Sequence, residues 1–187
     1  MAVEETRRRI IRAFRILAVQ NGIKGTTTRK IAEQADLNEG TIFRYFKTKQ
    51  EIIDTVVAEG HESIERLGTN FQSEGDFVGD MKAVARLFCQ YINEHPEIIV
   101  LGNEASNSSD SKSVSQLDAL IDNFYDLAFN VIQQNGYHLA VDAHMFVQNF
   151  VYLCLGYVDV ALLDENGFDD QTFIDSVGEL TQQFVSK

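Results

Sequence analysis

The sequence predicts an all-α protein, with a small three-helix unit at the N-terminus and a larger helical domain behind it. Three observations carry that expectation. Apolar residues return at three- and four-residue spacing through most of the chain, and strand-type alternation is nowhere sustained. One proline, Pro96, and twelve glycines leave room for long uninterrupted helices. Charge is also divided along the chain. Residues 1–50 hold eleven Lys and Arg against five Asp and Glu, a net of +6, whereas residues 51–187 hold five against 23, a net of −18. The whole-chain value of −12 hides that division. The basic end can meet phosphate and the acidic end is repelled by it, which fixes the face that docks.

The elements follow in order. Ile10, Ile11, Phe14, Leu17 and Ala18 form the apolar stripe of a first helix that Asn21-Gly22 ends. Thr26-Thr27-Thr28 offers N-caps for a short helix from Arg29 to Ala35. Asp36 closes it, because Asp tolerates the left-handed conformation better than most residues. Asn38 caps a third helix, Glu39 to Phe46, and Thr48 with Glu51 reads as a capping box for a fourth, Lys49 to Leu67. Gly68 to Gly75 reads as a loop. Phe77, Met81, Val84, Ala85, Phe88, Tyr91 and Ile92 stripe a fifth helix, and Pro96 can start a short sixth. The Ser- and Asn-rich stretch Asn103 to Ser115 reads as a loop. Leu117, Leu120, Ile121, Phe124, Leu127, Ala128, Val131 and Ile132 stripe a seventh helix, which Asn135-Gly136 ends. An eighth, from about Ala140 to Leu163, is apolar all round and must be buried on more than one side. Asn166-Gly167 breaks the chain before a last helix through Phe173, Ile174, Val177, Leu180, Phe184 and Val185.

Several functions are disfavoured by what the chain lacks. No apolar run approaches the ~18 residues of a membrane span, and the N-terminus has no apolar signal region, so a soluble cytoplasmic protein is expected. Cys89 and Cys154 read as buried free thiols. The spacing of His61, His95, His138 and His144 fits no compact metal site. No Gly-rich phosphate loop and no G-x-S-x-G nucleophile is present, so neither a cofactor nor an enzymatic activity is expected.

The informative stretch is Thr26 to Ile52, TTTRKIAEQADLNEGTIFRYFKTKQEI. Two short helices joined by a tight turn have helix-turn-helix geometry. Ile31, Ala32, Ala35, Leu37, Ile42 and Phe46 supply the core that fixes their crossing. Gly40 and Thr41 are small enough to let the start of the third helix approach base edges in a major groove. Arg44 has the reach and fork for guanine O6 and N7. Tyr45 is placed for phosphate, as is Lys49 with the dipole of the fourth helix behind it.

This stretch resembles the DNA-binding domain of the TetR family of transcriptional repressors, whose pattern is roughly T-x-x-x-I-A-x-x-A-x-V-S-x-G-x-L-Y-x-Y-F-x-x-K-x-x-L. Thr27, Ile31, Ala32, Ala35, Leu37, Asn38, Gly40, Ile42, Phe43, Tyr45, Phe46, Lys49 and Ile52 stand at those positions. Asn38 replaces Ser but caps equally well, and Ile42 for Leu is a core exchange. Phe43 stands where the family usually has Tyr, so a hydroxyl contact is lost and operator preference is left open. The resemblance implies a reader in residues 1–47 and an effector-binding and dimerisation domain in residues 48–187. It implies DNA contacts from Thr27, Thr28, Arg29, Glu39, Gly40, Thr41, Phe43, Arg44, Tyr45, Lys47 and Lys49. It also implies a homodimer on a palindromic operator, released when a small molecule shifts the fourth helix.

The all-round apolar eighth helix independently asks for a partner. Phe146, Phe150, Tyr157 and Ala161, with Phe173, Val177 and Leu180 of the last helix, are the candidate dimer interface. An effector that is apolar and neutral or cationic is expected, because few cations lie outside the reader and an unpaired buried anion is costly. Phe88, Tyr91, Phe124 and Tyr152 are candidates to stack on it, and Glu104 or Asp126 to balance its charge. Two rival readings are a small all-α cofactor-binding bundle or enzyme, and a DNA-binding dimer controlled by a protein partner.

Overall fold

The computed structural model describes residues 2–106, 111–163 and 169–185, with side chains described for 3–104, 118–158 and 169–185. Among these residues the chain is all-α. The helices are α1 (Ala2–Gly25), α2 (Thr28–Gln34), α3 (Glu39–Tyr45), α4 (Lys49–Thr69), α5 (Phe77–Glu94), α6 (Pro96–Ser106), α7 (Ser111–Gln134), α8 (Ala143–Leu163) and α9 (Asp170–Thr181), followed by a 3₁₀ turn at Gln182–Phe184. No described residue forms a strand beyond one isolated bridge between Leu139 and Val185.

Local chemistry sets the N-terminal elements. The helical path of α1 is interrupted at Gly22, whose φ of 69° a side chain would resist. The Thr27 side chain accepts from the Lys30 amide at 3.3 Å and starts α2. Asp36 takes φ 51° and turns the chain. Asn38 Oδ1 accepts from the Thr41 amide at 2.8 Å and starts α3. At α4 the capping box closes one residue early. Thr48 Oγ1 accepts from the Glu51 amide at 3.2 Å, but the Glu51 carboxylate reaches back to the amide of Lys47, at 2.7 Å, rather than to that of Thr48.

Two expected boundaries move. Asn103–Ser106 belong to α6 and Ser111–Ser115 to α7, so most of the expected Ser-rich loop is helical. Helix α8 begins at Ala143 and not at Ala140. The Ala140 amide donates to Phe184 O at 3.0 Å, and Asp142 accepts from the Met145 amide at 3.0 Å. The expected break at Asn166-Gly167 lies outside the described residues.

The chain divides into two compact units, Met1–Glu62 with His95–Leu117 and Ser63–Glu94 with Asp118–Lys187, so the expected boundary at 47/48 falls inside the first. Helix α4 carries the chain from one to the other. In the first unit α1 packs on α2 and α6, over buried Ile10, Phe14, Ile31, Ile42, Phe46, Ile52 and Val56. In the second α5 packs on α8 and α9, over buried Phe77, Met81, Val84, Phe88, Val147, Cys154 and Val177. Each such side chain contributes about 1.5–3 kcal/mol by leaving water.

Candidate functional site

Helix α3 presents one face to solvent and sinks the other. Ile42 and Phe46 are buried, whereas Glu39, Gly40, Phe43, Arg44 and Lys47 are exposed. Phe43 leaves half its surface in water, 50% exposed, although it is a large apolar ring. The platform under this face is fixed by short polar ties. Thr28 Oγ1 donates to Glu39 Oε1 at 2.7 Å, joining the starts of α2 and α3. Thr41 Oγ1 donates to Asn38 Oδ1 at 3.0 Å. A Cβ at Gly40 would stand 3.3 Å from that same oxygen, so the bare glycine leaves the cap room. The Arg44 guanidinium lies 5.1 Å from the Tyr45 ring centroid. A hydrogen bond with Thr6, helped by Arg44, holds the Tyr45 phenol below its ordinary pKa. Thr27 is exposed, and Arg29 is exposed and paired with Glu33 at 3.1 Å on the same helix.

The remaining cations of this unit mostly brace it. Lys49 was expected on phosphate, but its ammonium donates to Ile23 O at 2.8 Å and Thr26 O at 3.1 Å. It thereby closes the turn between α1 and α2, and burial, with Glu104 opposing, holds its pKa below the ordinary lysine value. Arg7 lies 4.3 Å from the Phe46 ring centroid and donates to Thr55 Oγ1 at 3.2 Å. Arg9 donates to the carbonyls of Ala35 and Asp36 at the bend of the motif. Arg15 pairs with Glu59 at 2.7 Å and with Glu97 at 3.2 Å, and Glu97 is only 1% exposed. A carboxylate buried that deeply persists because it is paired.

The residues expected to hold an effector are not brought together. Phe88 and Tyr91 pack edge-on against Phe124, with centroids at 5.2 and 5.4 Å, and all three are buried. They pack against one another in the core of the second unit. Glu104 lies in the first unit, where it accepts from the Ile23 amide at 2.6 Å. Tyr152 stands 62% exposed on α8. Asp126 lines a groove of about 590 Å³ between the C-terminal part of α4 and α7. Its walls also carry Ile64, Glu65, Gly68, Thr69, Phe71, Asn123, Leu127, Asn130, Val131 and Gln134. Among the described residues no group of three or more His, Cys, Asp or Glu is placed to hold a metal ion.

The candidate interface residues are displaced in a similar way. Phe146, Phe150, Tyr157, Phe173 and Val177 are buried within the chain itself, so they are not the side chains a second copy would meet. Tyr157 stacks on Phe173 at 4.2 Å, and burial raises its phenol pKa, with the Asp170 carboxylate beside it adding to the shift. Leu180 is 44% exposed, and the side chain of Ala161 lies outside the described residues. What α8 exposes is a different stripe: Met145, Gln148, Asn149, Tyr152, Leu153 and Gly156. Those positions share one helical face, and the signal for it was present in the adjacent polar pair Gln148-Asn149. The amides Asn123, Asn130 and Gln134 of the groove were likewise readable as a polar stripe on α7. Glu65 and Glu97 carried no local signal, because their surroundings come from distant segments.

The profile of the bacterial regulatory proteins of the tetR family matches residues 10–56, which contain the whole of this α2–α3 platform. Over 94 residues the chain is 34% identical to the HTH-type transcriptional regulator YvkB of Bacillus subtilis, and the match spans 50% of this chain and 49% of that protein. The chain thus aligns with about half the length of that relative. A solved regulator from Saccharomonospora viridis in complex with choline superposes with a TM-score of 0.80 at 16% identity, covering 98% of this chain and 100% of that one. FadR from Bacillus subtilis in complex with stearoyl-CoA superposes with a TM-score of 0.74 at 19% identity, covering 92% and 96%. At those identities the structural likeness speaks for the fold.

Proposed function

We propose that the protein, whose residues 10–56 match the model of the bacterial regulatory proteins of the tetR family, is a homodimeric transcriptional regulator, binding a palindromic operator and released by a small molecule. The observation that carries the reading is the exposed face of α3. Arg44, Phe43 and Gly40 stand in solvent on a capped helix whose other face is locked into the core. Arg44 is the residue fitted to guanine, Phe43 to a thymine methyl or sugar, and Thr27, Thr28, Tyr45 and Lys47 to the flanking backbone. Glu39, held by Thr28, positions the start of α3.

Dimerisation is assigned to the exposed stripe of α8, with Leu180 of α9. Met145 and Tyr152 are 56% and 62% exposed. Gly156 sits mid-helix with nothing within 4 Å of where a Cβ would be. A glycine there costs about 1 kcal/mol relative to alanine, and close approach by a second backbone supplies a reason for it. The effector is read as neutral or cationic. Residues 63–94 and 118–187 hold sixteen Asp and Glu against four Lys and Arg. Structures of this fold hold ligands as different as choline and stearoyl-CoA, so charge is the better guide.

The test is selection of duplexes from a random pool, followed by fluorescence anisotropy on the winner. Enrichment of an inverted repeat, bound by two chains, is the expected result. A chain that enriches no sequence, or binds as one copy, would contradict the reading.

A further inference from the structure

We propose that the groove between α4 and α7 is the effector site, and that it takes an amphipathic organic monocation, an ammonium head on an apolar body. The inference rests on the regulator reading above and adds the place and the chemistry. The groove measures about 590 Å³, within the usual range for small-molecule sites. Glu65 on α4 and Asp126 on α7 both line it, and no Lys or Arg is among its lining residues. An anion there would meet two like charges and no partner, whereas a cation would balance one or both. The amides of Asn123, Asn130 and Gln134 can orient a polar head but cannot neutralise it. Apolar surface comes from Ile64, Phe71, Leu127 and Val131, and Phe71 offers a ring face to a cation.

The groove also has the position an effector site needs. Its α4 wall, Ile64–Thr69, is the far end of the helix that starts at Lys49, and Lys49 is bonded to the α1–α2 turn. A ligand wedged between Glu65 and Asp126 bears directly on α4, and so on the element that sets the reader.

The experiment uses the full chain and three probes of one body and different charge: octyltrimethylammonium, octanol and octanoate. Calorimetric titration gives affinity, and anisotropy on the selected operator gives release. The cation is expected to bind and to release DNA, with octanol weaker and octanoate weakest. Glu65→Gln and Asp126→Asn should each weaken the cation by about fivefold and leave octanol unchanged, as expected for exposed charge pairs. Asn130→Lys, which places a cation in the groove, should remove binding of octyltrimethylammonium while the melting temperature holds. Tighter binding of octanoate, or carboxylate variants that keep wild-type affinity for the cation, would overturn the proposal. A chain that holds its operator but ignores all three probes overturns the groove and leaves the regulator reading intact. A chain that binds the cation through Glu65 and Asp126 but enriches no DNA overturns the regulator reading and leaves the groove standing.

Discussion

The reader and the helices behind it are both amphipathic bundles, yet they use their charges in opposite ways. In the reader four of the eleven cations tie its elements together. Arg7 covers Phe46, Arg9 holds the bend at Ala35 and Asp36, Arg15 pairs with buried Glu97, and Lys49 closes the α1–α2 turn. Arg8, Arg12, Lys24, Arg29, Lys30, Arg44 and Lys47 stand exposed. In the second unit the carboxylates outnumber the cations fourfold, and two of them line an open groove. The charge of a basic segment is therefore not all available at its surface. The net +6 of the first fifty residues overstates the charge available to phosphate.

The largest expected effect separates buried from exposed rings on α8. Phe150→Ala should cost about 3–5 kcal/mol of stability, because it empties a packed core position. Tyr152→Glu, two residues away on the open face, should leave the fold intact and yield monomers. Chemical denaturation and sedimentation distinguish the two. Equal loss of stability in both variants would break the division of α8 into an inner and an outer face.

Next in size is the contrast between two cations of the reader. Arg44→Ala should weaken operator binding by ~1–3 kcal/mol and relax preference at one base pair. Lys49→Met should instead lower thermal stability by about 1–2 kcal/mol, through two lost charge-assisted hydrogen bonds to backbone. It should leave the salt dependence of DNA binding unchanged. A salt slope flattened by about one unit in Lys49→Met would return that residue to the phosphate backbone.

The smallest effect is alkaline. Burial pushes the Cys89 thiol from its ordinary value of 9.0 up to about 12, with Asp170 adding to it, and burial raises Cys154 in the same direction. The folded chain then keeps a proton that the unfolded chain releases, so stability falls as pH rises above about 9. Cys89→Ala should make the melting temperature fall less between pH 8 and 10.5 than it does in wild type. An unchanged difference would mean the thiol is not held protonated.

What was legible in the sequence depended on how far apart the interacting residues stand. The caps at Thr27 and Asn38 and the left-handed Asp36 act over three or four residues, and each is where the pattern put it. So are the helix class and the α2–α3 platform. Lys49 was misjudged because its acceptors, Ile23 and Thr26, lie 26 and 23 residues away. Glu104 was misjudged for the same reason, its partner being 81 residues distant. On α8, periodicity cannot choose between faces that are both apolar. Burial divides them along Gln148 and Asn149, and the large rings Phe146 and Phe150 go inward. The groove escaped notice because its two acids sit on helices far apart in sequence, and only Asp126 was singled out.

The most direct test of the account is the affinity of wild type and Arg44→Ala for the selected operator and for a scrambled duplex, measured across a salt series. The exposed face of α3 requires that the substitution cut operator affinity by about tenfold or more, with little change on the scrambled duplex. Operator affinity that survives the loss of Arg44, at every salt concentration, would contradict it.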